Sequence, residues 1–322
     1  MQTFEPEFVM TTAFIFPGQG SQSVGMGRAL FEAYPAARAI FEEVDDALGE
    51  RLTEIIFEGP DETLRLTANA QPALMAVSLA ALRAAEAEGV DVRGCALVAG
   101  HSLGEYSALA AAGAISVRDA ARLLRLRGNA MQAAVPAGEG AMAALLGLDV
   151  AAAEEIAARA AQGEVCDVAN DNAPGQVVVS GAKDAVERAI ELAREAGARK
   201  SVLLPVSAPF HCTLMAPAAD RMAEALAAAE VRAPVVPVMA NISASLLSDP
   251  DAVRRSLVAQ VTGRVRWRES VEAMAAIGVT RLVEIGAGKV LTGLARRIDR
   301  SLEAIAVNTP EDVAILQAKQ AA

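Results

Sequence analysis

The chain has 322 residues, 53% of them hydrophobic but only 3% aromatic, and a formal net charge of −11. That length holds one large α/β domain, or one domain with a smaller one inserted, packed mainly by alanine, leucine and valine. The charge excludes a general binder of nucleic acid or of an anionic membrane surface, since phosphates are repelled overall, and no apolar run approaches the ~20 residues that span a bilayer.

The opening MQTFEPEFVMTT has neither a basic nor an apolar targeting region, so no signal peptide is expected. Met10 stands directly before the first convincing strand, and residues 1–9 read as a dispensable extension. Residues 13–16 form a short strand, followed by the tight loop Pro17-Gly18-Gln19-Gly20-Ser21. Helical patterns run over 25–34 and 35–48. The stretch 72–88, with proline at its start and an almost continuous apolar face, predicts a central helix.

The stretch from Cys95 to Tyr106 organises the rest. Cys95-Ala96-Leu97-Val98-Ala99 is short and apolar enough for a buried strand. Gly100-His101-Ser102-Leu103-Gly104 follows, and 106–112 reads as helix. A G-x-S-x-G pentapeptide between strand and helix is a nucleophile elbow. A serine on so sharp a turn needs strained backbone angles, and flanking glycines avoid collision with the neighbouring elements. The helix start adds unpaired N–H groups useful to an oxyanion. The competing reading, a glycine-rich turn with an ordinary serine, loses ground because both flanks are right.

An amphipathic helix over 117–135 carries Arg122, Arg125 and Arg127, and Gly138-Glu139-Gly140 marks a boundary. Strands at 141–147, 165–169, 176–180 and 201–204 alternate with helices at 151–161 and 182–196, giving a β-α-β-β-α-β order. Asn170-Asp171-Asn172-Ala173-Pro174-Gly175 reads as the hairpin turn between the middle strands. Helices at 214–229, 250–262, 269–277 and 289–298 then frame strands at 236–240 and 281–285. The expected fold is α/β: a hydrolase-like core with a parallel sheet flanked by helices, plus an inserted small ferredoxin-like subdomain. The expected division is 1–138 with 206–322 for the large part and 139–205 for the small one.

A serine needs a base, and the chain has two histidines. His101 adjoins Ser102, and neighbouring side chains on a sharp turn diverge, which leaves His211 as base. A structural histidine is the alternative. No acid stands near His211, so a dyad oriented by a backbone carbonyl is preferred over a triad with an unseen carboxylate. The three cysteines, Cys95, Cys166 and Cys212, lack C-x-x-C spacing and point to reduced thiols in a cytoplasmic protein. Two histidines supply little for a metal site. Gly286-Ala287-Gly288-Lys289 is no phosphate loop, because Val283 sits where its first glycine belongs.

Several stretches together resemble the malonyl-CoA:acyl-carrier-protein transacylases of fatty-acid synthesis. They are Phe16-Pro17-Gly18-Gln19-Gly20-Ser21-Gln22, Gln71-Pro72-Ala73, Gly100 through Ser107, Arg127-Gly128, Pro174-Gly175-Gln176-Val177-Val178, Pro209-Phe210-His211 and Glu284 through Leu291. The resemblance implies that Ser102 takes malonyl as an ester, with His211 as base and then acid in a ping-pong route. It implies an oxyanion hole from the N–H groups of Gln19 and Leu103, and an Arg127 that grips the malonyl carboxylate with two prongs. Without the resemblance Arg127 would read as a solvated helix arginine like Arg122. Phe210 matches a malonyl-selective version of the motif, and Gln71, His101, Asn170 and Asn172 complete the implied substrate contacts. Where the family has a glutamine whose carbonyl orients the histidine, this chain is expected to use the carbonyl of Arg266.

No cofactor is expected, malonyl-CoA being a substrate. The implied partners are an acyl carrier protein and CoA, with the cluster Arg264, Arg266, Arg268, Lys289, Arg296 and Arg297 as the surface for an acidic carrier. A monomer is expected, although the sequence itself leaves oligomeric state open. A serine esterase, a non-catalytic carrier scaffold and an acyltransferase of polyketide synthesis are the competing readings.

Overall fold

The apolar run after Met10 forms strand β1 (Thr12–Phe16), four of whose residues are buried. The computed structural model describes residues 11–320; the extension read from residues 1–9 lies outside them. The chain continues through α1 (Arg28–Ala33), α2 (Pro35–Leu48), α3 (Leu52–Glu58), α4 (Asp61–Arg65) and α5 (Thr67–Ala87). Strand β2 (Leu97–Gly100), α6 (Gly104–Ala111) and α7 (Val117–Ala133) follow, then β3 (Gly140–Leu146), α8 (Val150–Ala161), β4 (Cys166–Ala173), β5 (Gln176–Ala182), α9 (Lys183–Glu195) and β6 (Lys200–Leu203). The remainder is α10 (Ala216–Ala228), β7 (Val238–Ala240), β8 (Ser245–Leu247), α11 (Pro250–Thr262), α12 (Trp267–Ala276), β9 (Arg281–Ile285), α13 (Val290–Ile298), β10 (Glu303–Val307) and α14 (Pro310–Gln320).

Among the described residues, one sheet has the strand order β10-β9-β1-β2-β7-β8, parallel throughout except for the β7–β8 pair at its edge. Strand alternation explains why it is covered on both sides. Phe14 and Phe16 of β1 face a layer with α2, α5, α6 and α7, whereas Ala13 and Ile15 face Trp267, Val271 and Met274 of α12. The loops after β1, β2, β7 and β9 therefore meet at the carboxyl ends of the strands, where open parallel sheets form their crevices.

The central helix α5 starts at Thr67, five residues before the proline expected to open it. Pro72 has no N–H for the carbonyl of Ala68. The Arg125 guanidinium supplies the missing donor, Nη1 lying 2.7 Å from that oxygen. Gly128 lets α7 approach closely, since a Cβ there would stand 2.5 Å from Ala68 Cα.

The β-α-β-β-α-β stretch forms a second, antiparallel sheet in the order β4-β5-β3-β6. Its hairpin turn is shorter than the sequence suggests: β4 runs to Ala173, leaving Pro174-Gly175 as the turn. Asn170 and Asn172 are thus strand residues two apart on one face. One main-chain seam joins β4 to the segment before α12, with Val265 N donating to Ala169 O at 2.8 Å and Asp171 N to Val265 O at 3.0 Å. The carboxylate of Asp171 reinforces it with Arg268 Nη2 at 2.8 Å.

Candidate active site

Ser102 sits at the crest between β2 and α6 with φ 53, left-handed for a residue that bears a Cβ. The elbow glycines are obligatory. A Cβ on Gly100 would lie 1.9 Å from the Gly104 carbonyl, and one on Gly104 would lie 2.3 Å from Phe16 O. The strained turn is held from outside by Asn241, just past β7. Its Oδ1 accepts the Ser102 N–H at 2.7 Å and its Nδ2 donates to Gly100 O at 2.7 Å.

His211 also has a left-handed backbone, φ 58, and is 4% exposed. Its Nε2 lies 2.7 Å from Ser102 Oγ. Its Nδ1–H donates to the main-chain oxygens of Gln260 at 2.9 Å and Gly263 at 3.2 Å, which leaves Nε2 as the acceptor for the serine proton. This is the dyad oriented by backbone carbonyls, but Arg266 is not its source. The Arg266 carbonyl accepts from Ser270 N at 2.9 Å and Ser270 Oγ at 2.8 Å, because α12 begins there and consumes it. Gln260 and Gly263 stand at the C-terminal end of α11, where helix carbonyls run out of N–H partners. Burial, with Arg127 nearby, pushes the His211 imidazole down to about 3, so it is neutral and ready to accept a proton.

Arg127, only 2% exposed, comes from the inner face of α7. Nη2 lies 3.2 Å from Ser102 Oγ and 2.9 Å from Gln260 Oε1, and Nη1 lies 2.8 Å from Gln71 Oε1. Such burial lowers the guanidinium's pKa. His101 points away from the serine: its Nε2 donates to Asn172 Oδ1 at 2.8 Å and its ring stands 5.7 Å from that of Trp267. Burial lowers its pKa too.

A cavity of about 260 Å³ opens on Ser102 and is lined by every expected site residue except Arg266: Gln19, Gln71, His101, Leu103, Arg127, Asn170, Asn172, Phe210 and His211. The N–H groups of Gln19 and Leu103 have no hydrogen-bond partner among the described residues, whereas that of Ser102 is taken by Asn241. The arrangement supplies a nucleophile, a base, two free N–H donors and a cation around one small chamber. Among the described residues no cluster of histidine, cysteine, aspartate or glutamate could hold a metal ion. No helix there is long and apolar enough to cross a membrane.

Pattern reading missed Gln260, Asn241 and the buried Glu105, whose neighbours become visible only in three dimensions. The basic cluster expected to meet the carrier is in part internally paired. Arg264 pairs with Glu154, Arg266 with Glu269, and Arg268 with Asp171 and Glu272, so these three charges are already compensated.

The model of the acyl transferase domain family matches residues 13–313. The malonyl CoA-acyl carrier protein transacylase of Bacillus subtilis (strain 168) is 47% identical over 302 residues, 94% of either chain. The crystal structure of an acyl-carrier-protein-S-malonyltransferase from Bartonella henselae superposes with a TM-score of 0.95 at 57% identity, covering 97% of this chain and 100% of the other. A malonyl-transacylase solved in complex with its type II PKS acyl-carrier protein gives a TM-score of 0.93 at 44% identity, over 96% and 99% of the two chains.

Proposed function

The chain belongs to the acyl transferase family, and from that premise we propose that Ser102 carries malonyl as an ester between two half-reactions. The protein is an acyltransferase of the malonyl-CoA:acyl-carrier-protein transacylase type, with acyl carrier protein as its partner. In the first half-reaction Ser102 Oγ attacks the thioester carbonyl as its proton passes to His211 Nε2. The tetrahedral oxyanion lies against the N–H groups of Gln19 and Leu103; one such donor in a dry site is worth about 3 kcal/mol. The C–S bond breaks, and the leaving thiolate takes the proton back from His211. The second half-reaction reverses these steps, with the carrier's phosphopantetheine thiol giving its proton to His211 and its sulfur to the acyl carbon. Arg127 receives the free carboxylate of malonyl, and Phe210 narrows the chamber against branching at the α-carbon. Nucleophile, base and donors all come from this one chain, so the reaction needs no cofactor and no second subunit.

The same reading treats residues 139–205 as a unit inserted in a core made of 1–138 and 206–322. All-antiparallel pairing in the order β4-β5-β3-β6, with α8 and α9 as connections, supports a ferredoxin-like arrangement for it. Three buried, reduced cysteines fit a cytoplasmic enzyme.

The observation that carries the mechanism is one hydroxyl placed 2.7 Å from His211 Nε2 and 3.2 Å from Arg127 Nη2. Intact mass after incubation with malonyl-CoA should show one malonyl adduct on wild type and none on Ser102→Ala. Arg127→Ala should lower kcat/KM for malonyl-CoA by about 10²–10⁴, since each charge-assisted hydrogen bond is worth about 1.5–3 kcal/mol. Acylation by acetyl-CoA, which brings a methyl group to that place, should change far less. An unchanged malonyl preference in Arg127→Ala removes the assignment.

A further inference from the structure

The chemistry just described gives no task to Glu105, a buried acid behind Arg127. Glu105, 2% exposed in the first turn of α6, accepts two hydrogen bonds on a single oxygen. Oε2 takes the Gln260 Nε2–H at 2.7 Å and the main-chain N–H of Asn241 at 3.0 Å. On its other side the same Gln260 amide offers Oε1 to Arg127 Nη2 at 2.9 Å. We propose that Glu105 is a positioning residue that fixes which end of the Gln260 amide faces Arg127, and so sets the preference for acyl groups ending in a carboxylate. The proposal rests on the reading of Arg127 as the carboxylate's partner.

A carboxamide has a donor end and an acceptor end of nearly equal shape, whereas a guanidinium only donates. One of the two orientations of Gln260 therefore supports Arg127 and the other aims N–H groups at N–H groups. The Ser102 carbonyl, 3.0 Å from Nε2, favours the same orientation, and the Glu105 oxygen at 2.7 Å is the shorter, side-chain acceptor that reinforces it. The carboxylate is itself held by the fixed backbone N–H of Asn241. Gln71 repeats the pattern on the opposite side of Arg127. Its Oε1 faces Nη1, while its Nε2 donates to Thr67 Oγ1 at 2.9 Å, and that hydroxyl donates onward to Gln19 Oε1 at 3.0 Å.

Two neutral oxygens thus frame the guanidinium, and Glu105 stands one amide away. A carboxylate in direct contact with Arg127 would occupy the donors that a substrate carboxylate needs. Held behind Gln260, Glu105 orients the acceptor without competing for those donors.

The test measures the ratio of kcat/KM for Ser102 acylation by malonyl-CoA and by acetyl-CoA in wild type, Glu105→Leu, Glu105→Gln and Arg127→Ala. Glu105→Leu should lower the ratio about tenfold or more, mainly through KM for malonyl-CoA, because the Gln260 amide loses its 2.7 Å acceptor and is freer to turn its N–H end towards Arg127. Glu105→Gln should keep the wild-type ratio: the Asn241 N–H holds its amide oxygen in place, and that oxygen still accepts from Gln260. If Glu105→Leu does not fold, Gln260→Met carries the test, since it removes the amide and leaves the main-chain carbonyl; the same fall in ratio is expected. An unchanged ratio in Glu105→Leu or Gln260→Met, while Arg127→Ala collapses it, overturns the proposal and leaves the role of Arg127 standing. A ratio as low in Glu105→Gln as in Glu105→Leu also overturns it, because charge alone would then decide. An unchanged ratio in Arg127→Ala defeats the underlying reading instead.

Discussion

Replacing Asn241 by alanine asks how much of the catalytic geometry is held from outside the elbow. The side chain satisfies the Ser102 N–H and the Gly100 carbonyl, each at 2.7 Å; Asn241 and Gly100 are buried and Ser102 is half-buried. Asn241→Ala leaves two backbone groups unpaired, at about 1–3 kcal/mol each. The sum is about 2–6 kcal/mol, which in a domain of this size corresponds to a fall in Tm of about 4–12 °C. Ser102 at φ 53 then loses the strap that holds a conformation costing about 1–3 kcal/mol. A serine displaced by about 1 Å from His211 should acylate about a hundredfold more slowly. Asn241→Asp should be worse than alanine at neutral pH, because a carboxylate there faces the Gly100 oxygen with no donor and shares Gln260 Nε2 with Glu105. Differential scanning calorimetry and single-turnover acylation by malonyl-CoA measure both effects. An Asn241→Ala protein with wild-type Tm and wild-type acylation rate refutes the reasoning.

The depressed His211 pKa makes two measurable claims. Because the imidazole stays neutral to about pH 3, kcat/KM for malonyl-CoA should remain level well below pH 6, instead of falling near the usual histidine value of 6.5. Stability should drop as pH falls from 6.5 towards 3, where the unfolded chain binds a proton that the folded one refuses; His211→Asn should lose less in urea melts over that range. Glu105 acts in the opposite sense: burial raises its carboxyl to about 7, so its contribution is lost as pH rises from 4.5 through 7. Gly104→Ala should cost about 3 kcal/mol or prevent folding, given the Phe16 oxygen 2.3 Å from the new methyl. Gly293→Ala, with open space around it inside α13, should be neutral or stabilising by up to about 1 kcal/mol in the same urea melts.

The elbow and its nearest imidazole were legible in the sequence because each rests on local rules. Glycines flank a serine between strand and helix, and one histidine has no rival, whereas Arg127 stood out only through the resemblance, since by pattern alone it reads as a solvated helix arginine. The carbonyl that orients His211 was placed six residues too late, at Arg266, because alignment by motif ignores where helices start and stop. The ending of α11 at Thr262 is the signal that frees the oxygens of Gln260 and Gly263. Asn241 was hidden for a different reason. It directly follows a predicted strand, and only the neighbouring of β7 with β2 brings it under the elbow. Residues 170–173 were read as turn because asparagine and aspartate favour turns, yet pairing with β5 kept them in the strand, with shifts of register on the way. Strands β8 and β10 and helices α3, α4 and α14 went unread, being short or weakly patterned.

The seam between Ala169, Asp171 and Val265 bears on what steadies the base. Val265 lies two residues beyond Gly263, one of the two oxygens that hold the imidazole. The antiparallel sheet is therefore tethered to the segment that carries one of the base's own hydrogen-bond partners. A substitution that loosens Asp171 or Arg268, remote from the substrate, is expected to reach Nδ1 through this short stretch of main chain.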